Sequence, residues 1–526
     1  MTRRWGVPAR VGILLSAVAL VPAAPSPQDV APETKARIVP LFQAARNAEK
    51  QREMEKAASI YDQVLALAPA LAEAWTNKGL VLYELNRHRE AEAAFAKAVE
   101  LKPGLLTPQL FLGIEYLRHG EAARAIVPLK AALRLQPDHP QATYELARAY
   151  VELQNFELGT ATYQGLVKRA PDMEQAQYGL GIAYLNWSKA AARQLLASRP
   201  PSPYGRILLA GFLEAGGASS VAEEHYRAGV EGLPDEPEAW RALGQFYSKA
   251  QPGAEGSRKA DEQFARAAKL ESSGRVSRGD AAEVETAISH WRRGEYGQAL
   301  KALRSVSASS REPRAAFWLS RTCMALARET FLAAIEKNPG SHRAQLLLAD
   351  LARDQGDSAT AEAGYRRAAA LAFNDPEVQL LFIQFLAAHR IEDELFEKAA
   401  AAAERFPNHP ALNSEYAGIL LRRGRYLEAA VHFRKVLEAE PSFAAARAGL
   451  AEAYANTGDV EKSIAEMKAV LGADRDGSFH YRIARWYQET GRALEAQEAF
   501  AATARLKAEK LARDHASFLR SKTIGE

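Results

Sequence analysis

Residues 72–105 read AEAWTNKGLVLYELNRHREAEAAFAKAVELKPGL, and most of the chain is a variation on this stretch. Trp75, Gly79 and Leu82 fall at helical spacing in its first half, and Ala91, Phe95 and Ala98 do so in its second. Pro103 then stops the pattern. The spacing predicts two amphipathic helices, with large residues between them and small ones, Gly79 and Ala91, where the backbones approach. One such pair cannot bury both of its faces. Neighbouring pairs must stack on it, which makes the architecture a solenoid.

The unit recurs from end to end. Pro69, Pro103, Pro137 and Pro171 stand 34 residues apart, and Pro407 and Pro441 repeat the interval. The small residue of the first helix returns as Ala45, Gly113, Ala147, Gly181, Ala210, Gly244, Ala349, Ala417 and Ala451. The bulky wedge of the second returns as Tyr61, Leu129, Tyr163, Tyr226, Phe264, Phe331, Tyr365, Phe433 and Phe500. This order of large, small and aromatic residues closed by Pro resembles the tetratricopeptide repeat family. The resemblance covers about fourteen units between Ile38 and Ala508, roughly nine tenths of the chain. It implies an all-α solenoid of helix-turn-helix units forming a right-handed superhelix, with no room for a separate catalytic domain.

Composition agrees, since 526 residues rich in helix formers suit an array that grows by stacking. At the start, Arg3, Arg4 and Arg10 precede the apolar run VGILLSAVALV and the small-residue stretch Pro22, Ala23, Ala24. That is the pattern of a secretory signal peptide, and the run of about eleven residues is too short to span a bilayer. Cleavage after Ala23 fits best, and an uncleaved tether is the alternative. Without those three arginines the chain has 65 basic and 64 acidic side chains, which points away from a nucleic-acid partner. Cys323 is the single cysteine, so no internal disulfide forms; it lies in the apolar run FWLSRTCMALA and reads as a small buried hydrophobe.

The expected organisation is a signal peptide at 1–23, a flexible lead-in at 24–37 and an N-terminal array at 38–272. A Gly- and Ser-rich hinge at 273–280, a C-terminal array at 281–508, and a capping helix and tail at 509–526 follow. Two units are compressed, at 174–200 and 315–339, and adding 139 carries Leu209 to Leu348, Ala222 to Ala361 and Tyr226 to Tyr365. Neither has turn residues where its helices should part. Each is expected to merge into one long helix, with a tight turn between shortened helices as the alternative. Pro128 should kink the helix that contains it.

No HExxH, CxxC, GxxxxGK[ST] or GxSxG motif is present, so the chain is expected to be neither enzyme nor metal or cofactor binder. What the family resemblance implies is a concave groove lined by first helices and occupied by a protein or peptide. On that face the early and middle units carry Leu80, Tyr83, Leu110, Ile114, Leu117, Tyr144, Val151, Tyr178, Ile182, Leu185, Tyr204 and Ile207. Later units carry Arg343, Asp350, Arg353, Asp354, Arg422, Glu452, Arg485 and Glu489. The apolar set serves either recognition or the packing of first helices on one another. The Lys and Asn clamp of the family's chaperone branch and the Asn ladder of its sugar-transferase branch are missing, and Asn77 stands alone. The expectation is a non-enzymatic scaffold, periplasmic or secreted, holding a protein partner within an envelope or secretion assembly. An accessory subunit of an exopolysaccharide or glycan-handling machine is the alternative. Oligomeric state and partner identity are not written in the residues.

Overall fold

The fold was examined in a computed structural model, which describes residues 32–197, 201–215, 218–251, 253–272, 280–307, 313–354 and 357–522. Among these residues there are 26 α-helices and no strand. Among the described residues, contacts group the chain into two compact units, one within Met1–Pro137, Gly340–Asp350 and Ser358–Ala516, the other within Asp138–Pro339, Leu351–Asp357 and Ser517–Glu526.

In the first unit, helix pairs follow the 34-residue pattern: α1 (Pro32–Lys50) with α2 (Met54–Leu67), α3 (Ala72–Glu84) with α4 (His88–Leu101), and α5 (Leu106–Arg118) with α6 (Ala122–Leu135). Phe95 of α4 lies where a side chain on Gly79 would begin, since a Cβ there would stand 2.6 Å from the ring. That explains the small residue. The closing proline has a second role, read from a recurring bond six residues long. Trp75 Nε1 donates to the Pro69 carbonyl at 2.8 Å, and Gln109 Nε2 to that of Pro103 at 3.0 Å. Asn413 Nδ2 donates to Pro407 at 3.0 Å, and an Arg447 guanidinium N–H to Pro441 at 2.8 Å. The bond satisfies a carbonyl that the turn leaves without a helical partner.

In the second unit, α7 (Pro140–Glu152) pairs with α8 (Phe156–Arg169), and α9 (Glu174–Leu196) follows as one helix of 23 residues. Then come α10 (Pro203–Ala215), α11 (Ser219–Gly232), α12 (Pro237–Ala250), α13 (Ala254–Ser272), α14 (Asp280–Arg292) and α15 (Tyr296–Ser307). The helix α16 (Pro313–Lys337) has 25 residues. Both compressed stretches are therefore merged helices, continuous through Ser188 and Ala325.

They are also partners. A Cβ on Gly181 of α9 would lie 2.4 Å from the Phe331 ring of α16, which repeats the Gly79–Phe95 relation between residues 150 apart in sequence. Further along, the Ser188 and Ser320 hydroxyls are hydrogen-bonded at 3.0 Å out of contact with water. The two contacts run in opposite order along the helices, so α9 and α16 are antiparallel. The first half of α9 completes one repeat with the second half of α16, and the remaining halves complete another. The offset of 139 carries Gly181 to Ser320, so the two composite repeats are copies of one design. Helices α10–α15 lie between α9 and α16 in sequence, and together with the second composite repeat they form a side array.

The remaining helices are α17 (His342–Asp354), α18 (Ser358–Leu371), α19 (Pro376–Ala388), α20 (Glu392–Arg405), α21 (Pro410–Arg422), α22 (Tyr426–Ala439), α23 (Ala444–Asn456), α24 (Val460–Lys468), α25 (Ser478–Glu489) and α26 (Ala493–Lys522). Three boundaries differ from expectation. The lead-in gives way at Pro32, because proline at a first helical position loses no bond, and Phe42 anchors α1 against Tyr61 at 5.6 Å between rings. Residues 509–522 are not a separate cap: α26 has no Gly or Pro from Ala493 onward and runs straight through. Of the hinge expected at 273–280, residues 273–279 lie outside the described residues, as does the signal peptide, and Asp280 opens α14, but 272 does not divide two arrays. One apolar core runs from Tyr144 to Ala327, and Glu271 of α13 pairs with Arg292 of α14 at 3.0 Å. Pro128 lies inside α6, which continues to Leu135.

Candidate functional site

The expected groove residues are not placed alike. Leu80, Leu110, Ile114, Leu117, Tyr144, Val151, Tyr178 and Ile207 are buried, at 9 % exposure or less. Their neighbours explain this. The Tyr144 ring meets Tyr163 at 5.5 Å, the Tyr178 ring meets Phe331 at 6.3 Å, and Ile207 fills the space that a side chain on Gly229 would need. Packing thus accounts for eight of the twelve. Tyr83, Ile182, Leu185 and Tyr204 are half-buried. Tyr83 turns an edge to Phe111 at 5.2 Å, and Tyr204 donates to Glu236 at 2.9 Å.

In the later units, Arg343 is buried, and Asp350 accepts a hydrogen bond from Tyr365. Arg353, Arg422, Arg485 and Glu489 are exposed, Glu452 pairs with Arg482 at 2.8 Å, and the Asp354 side chain lies outside the described residues. This is a solvated face whose charges have partners on the same chain.

A cavity of about 350 Å³ opens among α1, α2 and α3, lined by Glu49, Lys50, Arg52, Met54, Asn77, Leu80, Val81 and Glu84. Arg52 adopts a left-handed backbone, φ +61°, to turn the chain from α1 into α2 at its rim. Glu49 accepts from the Tyr61 hydroxyl at 2.7 Å. Burial holds the Glu49 carboxyl above the usual carboxylate range, and the Tyr61 bond only partly opposes it. The Tyr61 hydroxyl is pushed far up by burial and by Glu49. Asn77 is 2 % exposed, and its amide lies close enough to Tyr61 to act against that shift. Neither its Nδ2 nor its Oδ1, however, has a hydrogen-bond partner of normal geometry. Leaving both ends of a buried amide unmet costs about 1–3 kcal/mol for each group. The lining therefore offers one donor and one acceptor, the carboxyls of Glu49 and Glu84, the cations Lys50 and Arg52, of which Arg52 lies 3.5 Å from Glu84, and apolar walls at Leu80, Val81 and Met54.

Of the expected groove residues only Leu80 lines this cavity. Asn77 passed unnoticed as a site because a single polar residue on a first helix carries no pattern, although an Asn among apolar neighbours was a signal. Among the described residues no cluster of three or more His, Cys, Asp or Glu is arranged to hold a metal, and no helix is long and apolar enough to cross a membrane. Cys323 is fully buried, and burial pushes its thiol far above the ordinary range.

Models of the tetratricopeptide repeat match residues 72–105, 116–185, 324–376 and 420–485. One match ends in the first half of α9 and another begins in the second half of α16. Among curated proteins, the chain is 33 % identical over 110 residues to Hsp70-Hsp90 organizing protein of Triticum aestivum, covering 21 % of this chain and 18 % of that protein. It is 28 % identical over 141 residues to Superkiller complex protein 3 of Homo sapiens, covering 26 % and 9 %. The chain spans less than a fifth of the length of either. Among solved structures, the APC/C hetero-tetramer Cut9-Hcn1 is similar with 15 % identity, 90 % coverage of this chain and 94 % of that one, and a TM-score of 0.31. The repeated sequence unit, the helix pairs it builds and the family models agree: the chain belongs to the tetratricopeptide repeat family.

Proposed function

We propose that this chain is a non-enzymatic scaffold that holds an extended segment of a partner protein at the cavity among α1, α2 and α3. The observation that carries the reading is the Asn77 amide, buried in the cavity lining beside Tyr61 with neither end in a hydrogen bond of normal geometry. A peptide backbone presents one N–H and one C=O per residue, which is what such an amide requires. Tetratricopeptide repeat proteins mediate protein–protein interactions, and the similarity to a protein named as an organizer of Hsp70 and Hsp90 is in keeping with this. The reading extends to an exported chain acting in an envelope or secretion assembly, on the strength of Arg3, Arg4, Arg10 and the apolar run after them.

The test is crosslinked capture with the tagged full chain, comparing wild type with Asn77→Ala at equal helicity by circular dichroism. Specific proteins lost by the variant, with affinity lowered about tenfold for a backbone pair of hydrogen bonds, support the scaffold. An identical captured set from both chains overturns the site. Capture of soluble polysaccharide in place of protein favours the glycan-handling alternative.

A further inference from the structure

The inner face of the side array is not an open groove. Helix α10 contacts both α16 and α12 and stands between them in the stack. Two arginines of α16 nevertheless reach past it. Arg314 Nε binds Glu236 at the start of α12 at 2.7 Å, and Arg321 Nη2 forms an ion pair at 2.6 Å with Glu238, two residues on. Arg314 also binds Glu285 of α14 at 2.7 Å, and Arg241 approaches the other oxygen of Glu238 at 2.5 Å. Glu236 and Glu238 are 5 % and 1 % exposed, so these pairs lie inside the array and not on its rim. Beneath them are the aromatic residues of the same face. Phe317 and Trp318 are fully buried, Trp318 meets Trp291 at 5.3 Å, and Arg321 lies over the Trp291 ring at 5.0 Å.

We propose that Arg314 and Arg321, with Glu236 and Glu238, form a latch that holds the side array closed over its own aromatic inner face. The chemistry favours a switch over simple cement. Apolar side chains of similar volume would fill this space as well or better, because desolvating four charges offsets most of their attraction. Removing Glu236 and Glu238 leaves Arg314 with Glu285 alone and takes the ion pair from Arg321, so the array has two arrangements, paired and closed, or open and hydrated. Opening turns Tyr204, Phe317 and Trp318 toward solvent and makes a groove where the closed form has none. The closed form therefore cannot take a partner on this face.

Hydrogen exchange on the full chain tests the latch, using Glu236→Gln with Glu238→Gln to remove charge at constant volume. Exchange across 237–250 and 313–325 should rise about tenfold or more, as expected for the loss of charge-assisted bonds, while α1–α6 stay unchanged. Tryptophan quenching by acrylamide should rise with it. A second variant, Arg321→Lys, keeps the charge but loses the planar fork, and should raise exchange in α12 about threefold. Unchanged exchange in either variant, or a rise shared equally by α1–α6, overturns the latch.

Discussion

Substituting Gly181 by Val tests the pairing of α9 with α16. The added carbon would begin 2.4 Å from the Phe331 ring, well inside van der Waals contact, so the ring or the helix must shift. Overpacking of this kind costs about 1–3 kcal/mol, of which a few tenths return through the better helix propensity of Val. Phe331→Ala removes the obstacle and costs about 2 kcal/mol, roughly half the value for a fully buried ring, because Phe331 is only half-buried. If the two residues meet as described, the Val methyls enter the space vacated by the ring. The double variant then costs no more than Phe331→Ala alone, giving a coupling of about 1–3 kcal/mol. A repeat array need not unfold in one step, so the quantity to measure is local: hydrogen exchange of peptides from 174–187 and 325–337 in all four proteins. Additivity within about 0.5 kcal/mol would refute the composite repeat. Gly79→Val combined with Phe331→Ala is the control. It must be additive, because Gly79 faces Phe95 instead.

Native Cys323 should react with iodoacetamide about a hundredfold or more slowly relative to the chain in denaturant, with mass spectrometry as the readout; comparable rates would contradict its burial. Glu49→Gln carries a pH dependence of definite sign. The folded chain holds the Glu49 proton more tightly than the unfolded one, so the carboxylate costs stability above the ordinary carboxylate range, and the cost fades as pH falls. Stability of the Gln variant relative to wild type, from denaturant titrations of α1–α6 by exchange, should therefore improve between about pH 4 and pH 7. A flat difference across that window would show that burial does not govern Glu49. Tyr144→Ala and Tyr178→Ala should each lower the stability of their own repeat by about 3 kcal/mol, as truncation of a buried ring does, which makes them poor probes of partner binding.

The helix pairs were legible because the pattern has one cause repeated many times. Gly79 and Phe95, or Gly113 and Leu129, are local contacts, and a 34-residue spacing states them directly. The missing turns at Ser188 and Ala325 were legible as well. What α9 packs against was not. The contact between Gly181 and Phe331 spans 150 residues, and nothing in the local pattern says that the wedge for one half-repeat is supplied by another. Groove residues were harder still. Helical spacing puts Tyr144 and Leu80 on the same nominal face, yet whether that face meets solvent depends on how closely the next first helix approaches. Asn77 stood out only once its surroundings were known to provide no hydrogen bond of normal geometry.

The composite repeat also sets a schedule for synthesis. The first half of α9 leaves the ribosome with its small-residue face ready for a wedge, and Phe331 is 150 residues behind it. At about 5–20 residues per second, that face waits roughly 8–30 s for its partner. During the wait the available wedges are those of the side array, such as Tyr226, made in between. A chain that accepted one of them would close the wrong repeat, so the order of translation favours a side array that packs its own wedges before α16 arrives.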